Sequence, residues 1–141
     1  MKIIILYATK SGAARECAEL LSKKFGSCPI RDLSQLVPDL TGFDTIIIGT
    51  GVRMGTIYKP ALHFLQQNVG LLLTKKLALY FCNAYPDTFQ RAVEKNVPLE
   101  LMEHTICIKS FGGRPPFTKA PMAKWLNTDA VEQFLGQVNG A

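Results

Sequence analysis

The chain has 141 residues, a length suited to one domain, and its 48% apolar residues suffice for a core packed on both sides of a sheet. No apolar run approaches the roughly 18 residues that span a bilayer, and the start from Met1 to Tyr7 lacks a small-residue cleavage site, so the expectation is a cytoplasmic protein with no transmembrane segment. Lys plus Arg exceed Asp plus Glu by 16 to 11, a net charge of +5 with no block of like charges; this argues against nucleic-acid binding but biases the choice of partner protein.

Short apolar runs alternate with segments of helical period, which predicts a parallel sheet with helices on both faces. Lys2 to Tyr7 reads as the first strand. Ala14, Cys17, Ala18, Leu21 and Phe25 then fall at three- and four-residue steps, one stripe of an amphipathic helix that Gly26 stops. Pro29 to Leu33 carries Arg31 and Asp32, too polar for a strand covered on both faces, and reads as an edge strand. Asp44 to Gly49 has the β-branched density of a central strand, followed by a glycine-punctuated loop, Thr50 to Lys59. Pro60 suits the first turn of the next helix, with Ala61, Leu62, Phe64, Leu65 and Val69 on its apolar face.

Lys76 to Cys82 reads as the fourth strand, then a loop, Asn83 to Asp87, with Asp87 as cap of a helix running to about Asn96. Thr105 to Lys109 is the fifth strand, and a single last helix is expected from about Met122 to Val138. These elements compose a doubly wound, five-stranded parallel α/β sheet of order 2-1-3-4-5 in one domain, residues 1–141. Ligands of such sheets bind outside the carboxyl ends of the strands, which singles out the loops after the first, third, fourth and fifth strands.

The first of these loops, Thr9-Lys10-Ser11-Gly12-Ala13-Ala14, offers two hydroxyls, a glycine and a run of backbone N–H groups at a helix start. Unpaired amides and the helix dipole suit a phosphate there, while Thr and Ser before a helix are equally ordinary N-caps. Rival phosphate motifs fail: there is no G-x-x-x-x-G-K-[ST], no G-x-G-x-x-G after the first strand, no cysteine opening the loop and no carboxylate ending the third strand. The four cysteines are scattered, form no C-x-x-C and read as buried free thiols. His63 and His104 have no partner at metal-ligand spacing, so no metal site is expected.

Ile5-Leu6-Tyr7-Ala8-Thr9-Lys10-Ser11-Gly12, then Glu16-Cys17-Ala18, Asp44 to Gly49 with its glycine-bearing loop, and Phe111-Gly112-Gly113 together resemble the flavodoxin family. Nearest is its branch related to flavodoxin-type protoporphyrinogen oxidases. The first-loop pattern of that family, T/S-x-T/S-G-x-T, is matched by Thr9, Ser11 and Gly12, and departs at Ala14, which lacks the last hydroxyl. One hydrogen bond to a charged group is worth roughly 1.5–3 kcal/mol, enough to weaken a phosphate ligand about tenfold without abolishing a site built from backbone. The resemblance implies flavin mononucleotide (FMN), with its phosphate on Thr9 to Ala14. Its ring would lie between Thr50, Gly51, Val52, Arg53, Met54 and Gly55 on one side and Asn83, Ala84 and Tyr85 on the other, with Gly112 and Gly113 nearby.

Tyr85 is the leading candidate for an aromatic wall, with Val52, Arg53, Met54 and Tyr58 competing from the opposite loop, and a simple surface aromatic is the alternative. Gly51 and Gly55 permit close backbone approach or serve as ordinary turn glycines. The resemblance implies an FMN-binding electron carrier that serves redox partner proteins, whose docking face the chain's positive charge would match if acidic. Two other readings remain: an oxidase of the protoporphyrinogen type, for which the stretch Phe111 to Ala120 is short, and a binding module that has lost FMN.

Overall fold

The computed structural model describes residues 1–115 and 118–141; Pro116 and Phe117, part of the short stretch Phe111 to Ala120 read from the sequence, lie outside the described residues. Strand β1 (Ile3–Ala8) is buried along its whole length. Its alternate side chains divide between two cores: Ile3, Ile5 and Tyr7 face one, Ile4, Leu6 and Ala8 the other. That division is the period of two of a strand covered on both faces.

Helix α1 (Ala13–Lys24) lays Ala14, Cys17, Ala18 and Leu21 on the first core, as their spacing predicts. Strand β2 (Ile30–Asp32) lies at the sheet edge, where exposed Arg31 reaches water. Strand β3 (Thr45–Arg53) pairs with β1 on one side and with β5 (Lys76–Cys82) on the other. It runs four residues past the expected end at Gly49, because Gly51 still pairs with Cys82 and because Val52 and Arg53 pair antiparallel with a short β4 (Thr56–Ile57). The expected loop is therefore a tight hairpin. Its two tip residues, Met54 (φ 54°) and Gly55 (φ 79°), both have positive φ, the requirement of a type I′ turn.

Helix α2 (Lys59–Gln67) carries Pro60 in its first turn, as expected, and buries Ala61, Phe64 and Leu65; Val69, expected on the same face, opens a short separate α3 (Val69–Leu72). After β5, Pro86–Thr88 forms a 3₁₀ turn before α4 (Phe89–Asn96), so Asp87 is inside that turn and does not cap the helix. A further helix, α5 (Leu99–His104), precedes β6 (Cys107–Ser110); Thr105, expected to open that strand, ends α5 with its hydroxyl donating to the Met102 carbonyl at 3.1 Å. The single last helix is in fact two, α6 (Met122–Trp125) and α7 (Thr128–Asn139). Asn127 breaks the run: its backbone N–H donates to the Phe111 carbonyl, and its side chain caps α7 by accepting from Ala130 N at 3.0 Å.

The five parallel strands run β2-β1-β3-β5-β6, the expected 2-1-3-4-5 order once the added β4 is set aside. Helices α1 and α7 cover one face, and α2, α4 and α5 the other. Gly49 at the sheet centre makes room for the Tyr80 ring, which would collide with any Cβ there. Tyr80 uses that space to donate its hydroxyl to the Ala14 carbonyl at 2.8 Å, tying the middle of the sheet to the first turn of α1.

Candidate functional site

At the carboxyl ends of β1, β3 and β5 lies a cavity of about 320 Å³, within the range of small-molecule and cofactor sites. One wall is the first loop, through Thr9, Ser11, Ala13 and Ala14. Here Thr9 Oγ1 accepts from Gly12 N at 2.9 Å and Ser11 Oγ from Ala13 N at 3.5 Å. Gly12 takes φ 91°, a left-handed turn that aims the chain into α1. The amides of Ala14 and Arg15 have no acceptor among the described residues, so the start of α1, whose Ala13 and Ala14 line the cavity, keeps free donors.

Opposite stand Gly51, Val52, Arg53 and the half-buried Tyr58, then Cys82, Ala84 and Tyr85 from the end of β5. Residues Arg114, Pro115 and Thr118 close the far side. The Arg114 guanidinium bridges two remote segments: it donates to the Ser11 carbonyl, makes a two-pronged pair with Glu16 at 2.8 Å, and donates from Nε to the Ala120 carbonyl at 3.0 Å. Its carbon lies 5.8 Å from the Trp125 ring centre. Amides at a helix start and two hydroxyls form a donor set for an oxygen-rich anion, and the guanidinium, engaged by Ser11, Glu16 and Ala120, braces the loop that carries them. Tyr58 and Tyr85 supply aromatic surface beside it.

A family model, the flavodoxin domain, matches residues 4–134. The chain belongs to the flavodoxin family. Among solved structures it is similar to a flavodoxin from the domain Archaea, at 13% identity over 99% of this chain and 95% of that one, with a TM-score of 0.59. A short-chain flavodoxin associated with a non-canonical PDU bacterial microcompartment is similar at 16% identity over 97% and 96%, with a TM-score of 0.58. A flavoprotein from Lactobacillus acidophilus NCFM, solved in complex with FMN, is similar at 17% identity over 77% and 92%, with a TM-score of 0.57. At these identities the likeness is one of fold. No curated protein matches the sequence.

Of the site residues read from the sequence of this flavodoxin domain, Thr9, Ser11, Ala13, Ala14, Gly51, Val52, Arg53, Ala84 and Tyr85 come together around the one cavity. Met54, Gly55 and Asn83 line an adjoining one. The rest line neither cavity. Lys10 is exposed, its ammonium 5.0 Å from the Tyr58 ring centre. Thr50 is buried in the hairpin, its hydroxyl accepting from Tyr58 N at 3.3 Å and donating to the Gly51 carbonyl at 2.9 Å. Gly112 packs on the Trp125 carbonyl, and Gly113 on the backbone of Cys82 to Ala84, where a Cβ would come within 2.8 Å.

Sequence reading missed Cys82, Arg114, Pro115 and Thr118 as lining residues. Arg114 follows directly on the Gly112-Gly113 pair, but its partner Glu16 is 98 positions away and no local pattern links them. The four cysteines are free, as expected; Cys28 is only partly buried, and Cys82 Sγ lies 3.7 Å from Cys17 Sγ. That contact and burial push the Cys82 thiol well above its ordinary pKa, so it stays protonated and unreactive at the cavity wall. Burial likewise raises the Tyr58 phenol, so Tyr58 meets the cavity as a neutral ring.

Proposed function

We propose that this chain binds FMN in the cavity at the strand ends and carries electrons between redox partner proteins. The observation that carries the reading is the convergence of the first-loop donors, Arg114 and two tyrosines on one cavity in a flavodoxin-family chain. The residues fit the group: Thr9, Ser11 and the free amides of Ala14 and Arg15 suit the phosphate, and Tyr58 and Tyr85 suit a flat apolar ring. FMN held there supplies reversible one- and two-electron chemistry. The chain's own residues bind and orient it, and Tyr85, 60% exposed, keeps that wall of the site open to an approaching partner.

Among the described residues lining the cavity there is no imidazole or carboxylate to act as a general acid or base, which favours carriage over turnover of a dedicated substrate. The oxidase reading is further weakened by the segment after β6, which is short and tied to the first loop through Arg114. Purified protein should absorb in the visible flavin bands and release FMN. In a fluorescence titration the apoprotein should take up one FMN per chain and bind it more tightly than riboflavin. Equal affinity for the two would overturn the phosphate-loop assignment, and protein that binds neither would favour the binding-module reading. Anaerobic turnover of protoporphyrinogen with a quinone acceptor should be slow or absent; a rapid FMN-dependent rate would promote the oxidase reading.

A further inference from the structure

Beside the cavity assigned to FMN is a second, of about 600 Å³, which shares Val52, Arg53 and Tyr85 with it. The hairpin tip Met54-Gly55 forms one bank, and Arg91 and Lys95 on α4 the other. Three cations, Arg53, Arg91 and Lys95, line this groove, and no carboxylate does. None of the three forms an ion pair among the described residues; Lys95 Nζ donates only to the neutral Thr56 hydroxyl, at 2.9 Å. The guanidiniums of Arg15 and Arg114, by contrast, are each matched by a glutamate. Unpaired cations converging on one concavity focus a positive potential that single surface lysines do not.

The hairpin bank also carries apolar surface and is held in place. Met54 is 92% exposed at the hairpin tip and Tyr85 stands out beside it. Asn96 fixes that tip, donating from Nδ2 to the Gly55 carbonyl at 2.9 Å and accepting from Ile57 N at 3.3 Å. An exposed methionine and tyrosine held among arginines is the residue mixture enriched at protein interfaces. A small anion seated in the groove would leave Met54 uncovered, whereas a protein face covers it together with the cations.

We infer that this groove is the docking surface for the carboxylate-rich face of an electron-transfer partner protein. The inference rests on the reading of the adjoining cavity as the FMN site, since that neighbourhood is what makes docking here productive. Contact through Met54 and Tyr85 brings the partner to the shared wall of the two cavities. Weak, small, charge-steered interfaces suit a carrier that must dissociate after each transfer.

Two measurements on the full chain test it. In an amide NMR titration with a hexaglutamate peptide, shifts should cluster at residues 53–56 and 88–95, fade as salt rises past the point where the Debye length falls below about 8–10 Å, and vanish in Arg91→Glu/Lys95→Glu. Shifts elsewhere, or shifts that survive the double variant, would overturn the docking surface whether or not flavin is bound. Citrate giving the same shifts at the same concentration would mean a small-anion pocket and would also overturn it. In the holoprotein, reoxidation of reduced flavin by ferricyanide relative to a tripositive cobalt complex should fall about tenfold in the double variant. An unchanged ratio overturns the inference, whereas absence of flavin from the protein counts against the FMN reading and leaves the peptide titration to decide this one.

Discussion

The two sides of the cavity are built on opposite principles. On the side of the first loop, charges are matched and segments interlocked: Arg114 joins Ser11, Glu16 and Ala120, and Tyr80 holds the Ala14 carbonyl from the centre of the sheet. On the side of the hairpin, the backbone is equally well fixed through Asn96, yet the side chains of Arg53, Met54, Tyr85 and Arg91 are exposed and, among the described residues, unpaired. A ligand that must stay is served by donors already in position, because little ordering remains to oppose binding. A partner that must leave is served by exposed charge, which speeds encounter more than it strengthens the complex.

The interlocked side should fail first at Gly112. Its φ of 76° is a left-handed conformation, and a Cβ there would run into the Trp125 carbonyl, so Gly112→Ala should cost about 2–3 kcal/mol of folding stability. That corresponds to a drop of about 5–10 °C in Tm by thermal denaturation. An unchanged midpoint would mean that α6 yields without cost and that this side is less rigid than its contacts imply.

Arg114→Ala leaves Glu16 without its cation beside the free amides of α1 and removes the clamp on Ser11. FMN affinity should fall about tenfold to a hundredfold, the worth of one charge-assisted contact, while riboflavin affinity changes little. Equal losses for both flavins would recast Arg114 as a brace for the loop alone. The smallest effect is expected from Ala14→Thr, which adds a hydroxyl at a buried position on the cavity wall. It should tighten FMN by up to about tenfold and leave riboflavin unchanged; a gain shared by both would indicate repacking against Tyr80 rather than a phosphate contact.

The first loop was legible as a turn because the bonds within it are local, whereas its braces from Arg114 and Tyr80 are not. Thr9, Ser11 and Gly12 sit between a strand and a helix whose periods are plain, and the bonds among them span two or three residues. The hairpin was only half legible: Gly51 and Gly55 marked a turn, but the residues from Thr50 to Arg53 look like loop until the neighbouring β5 offers Phe81 and Cys82 as pairing partners. The last helix was read as continuous because Trp125, Leu126, Phe134 and Leu135 keep an apolar rhythm. Its interruption comes from Phe111, whose carbonyl takes the Asn127 amide from a different strand end.

By itself the sequence determined the alternation of strands and helices, their order in the sheet and the edge position of β2, since periodicity, β-branching and turn chemistry act over a few residues. Only the tertiary structure decided that Arg114 reaches Glu16 and Ser11, that Tyr80 passes Gly49 to hold Ala14, and that Arg53, Arg91 and Lys95 share one groove without a carboxylate. Those pairings join residues brought together by the closing of the sheet and its crossovers, and a contact between distant positions leaves no local period in the chain.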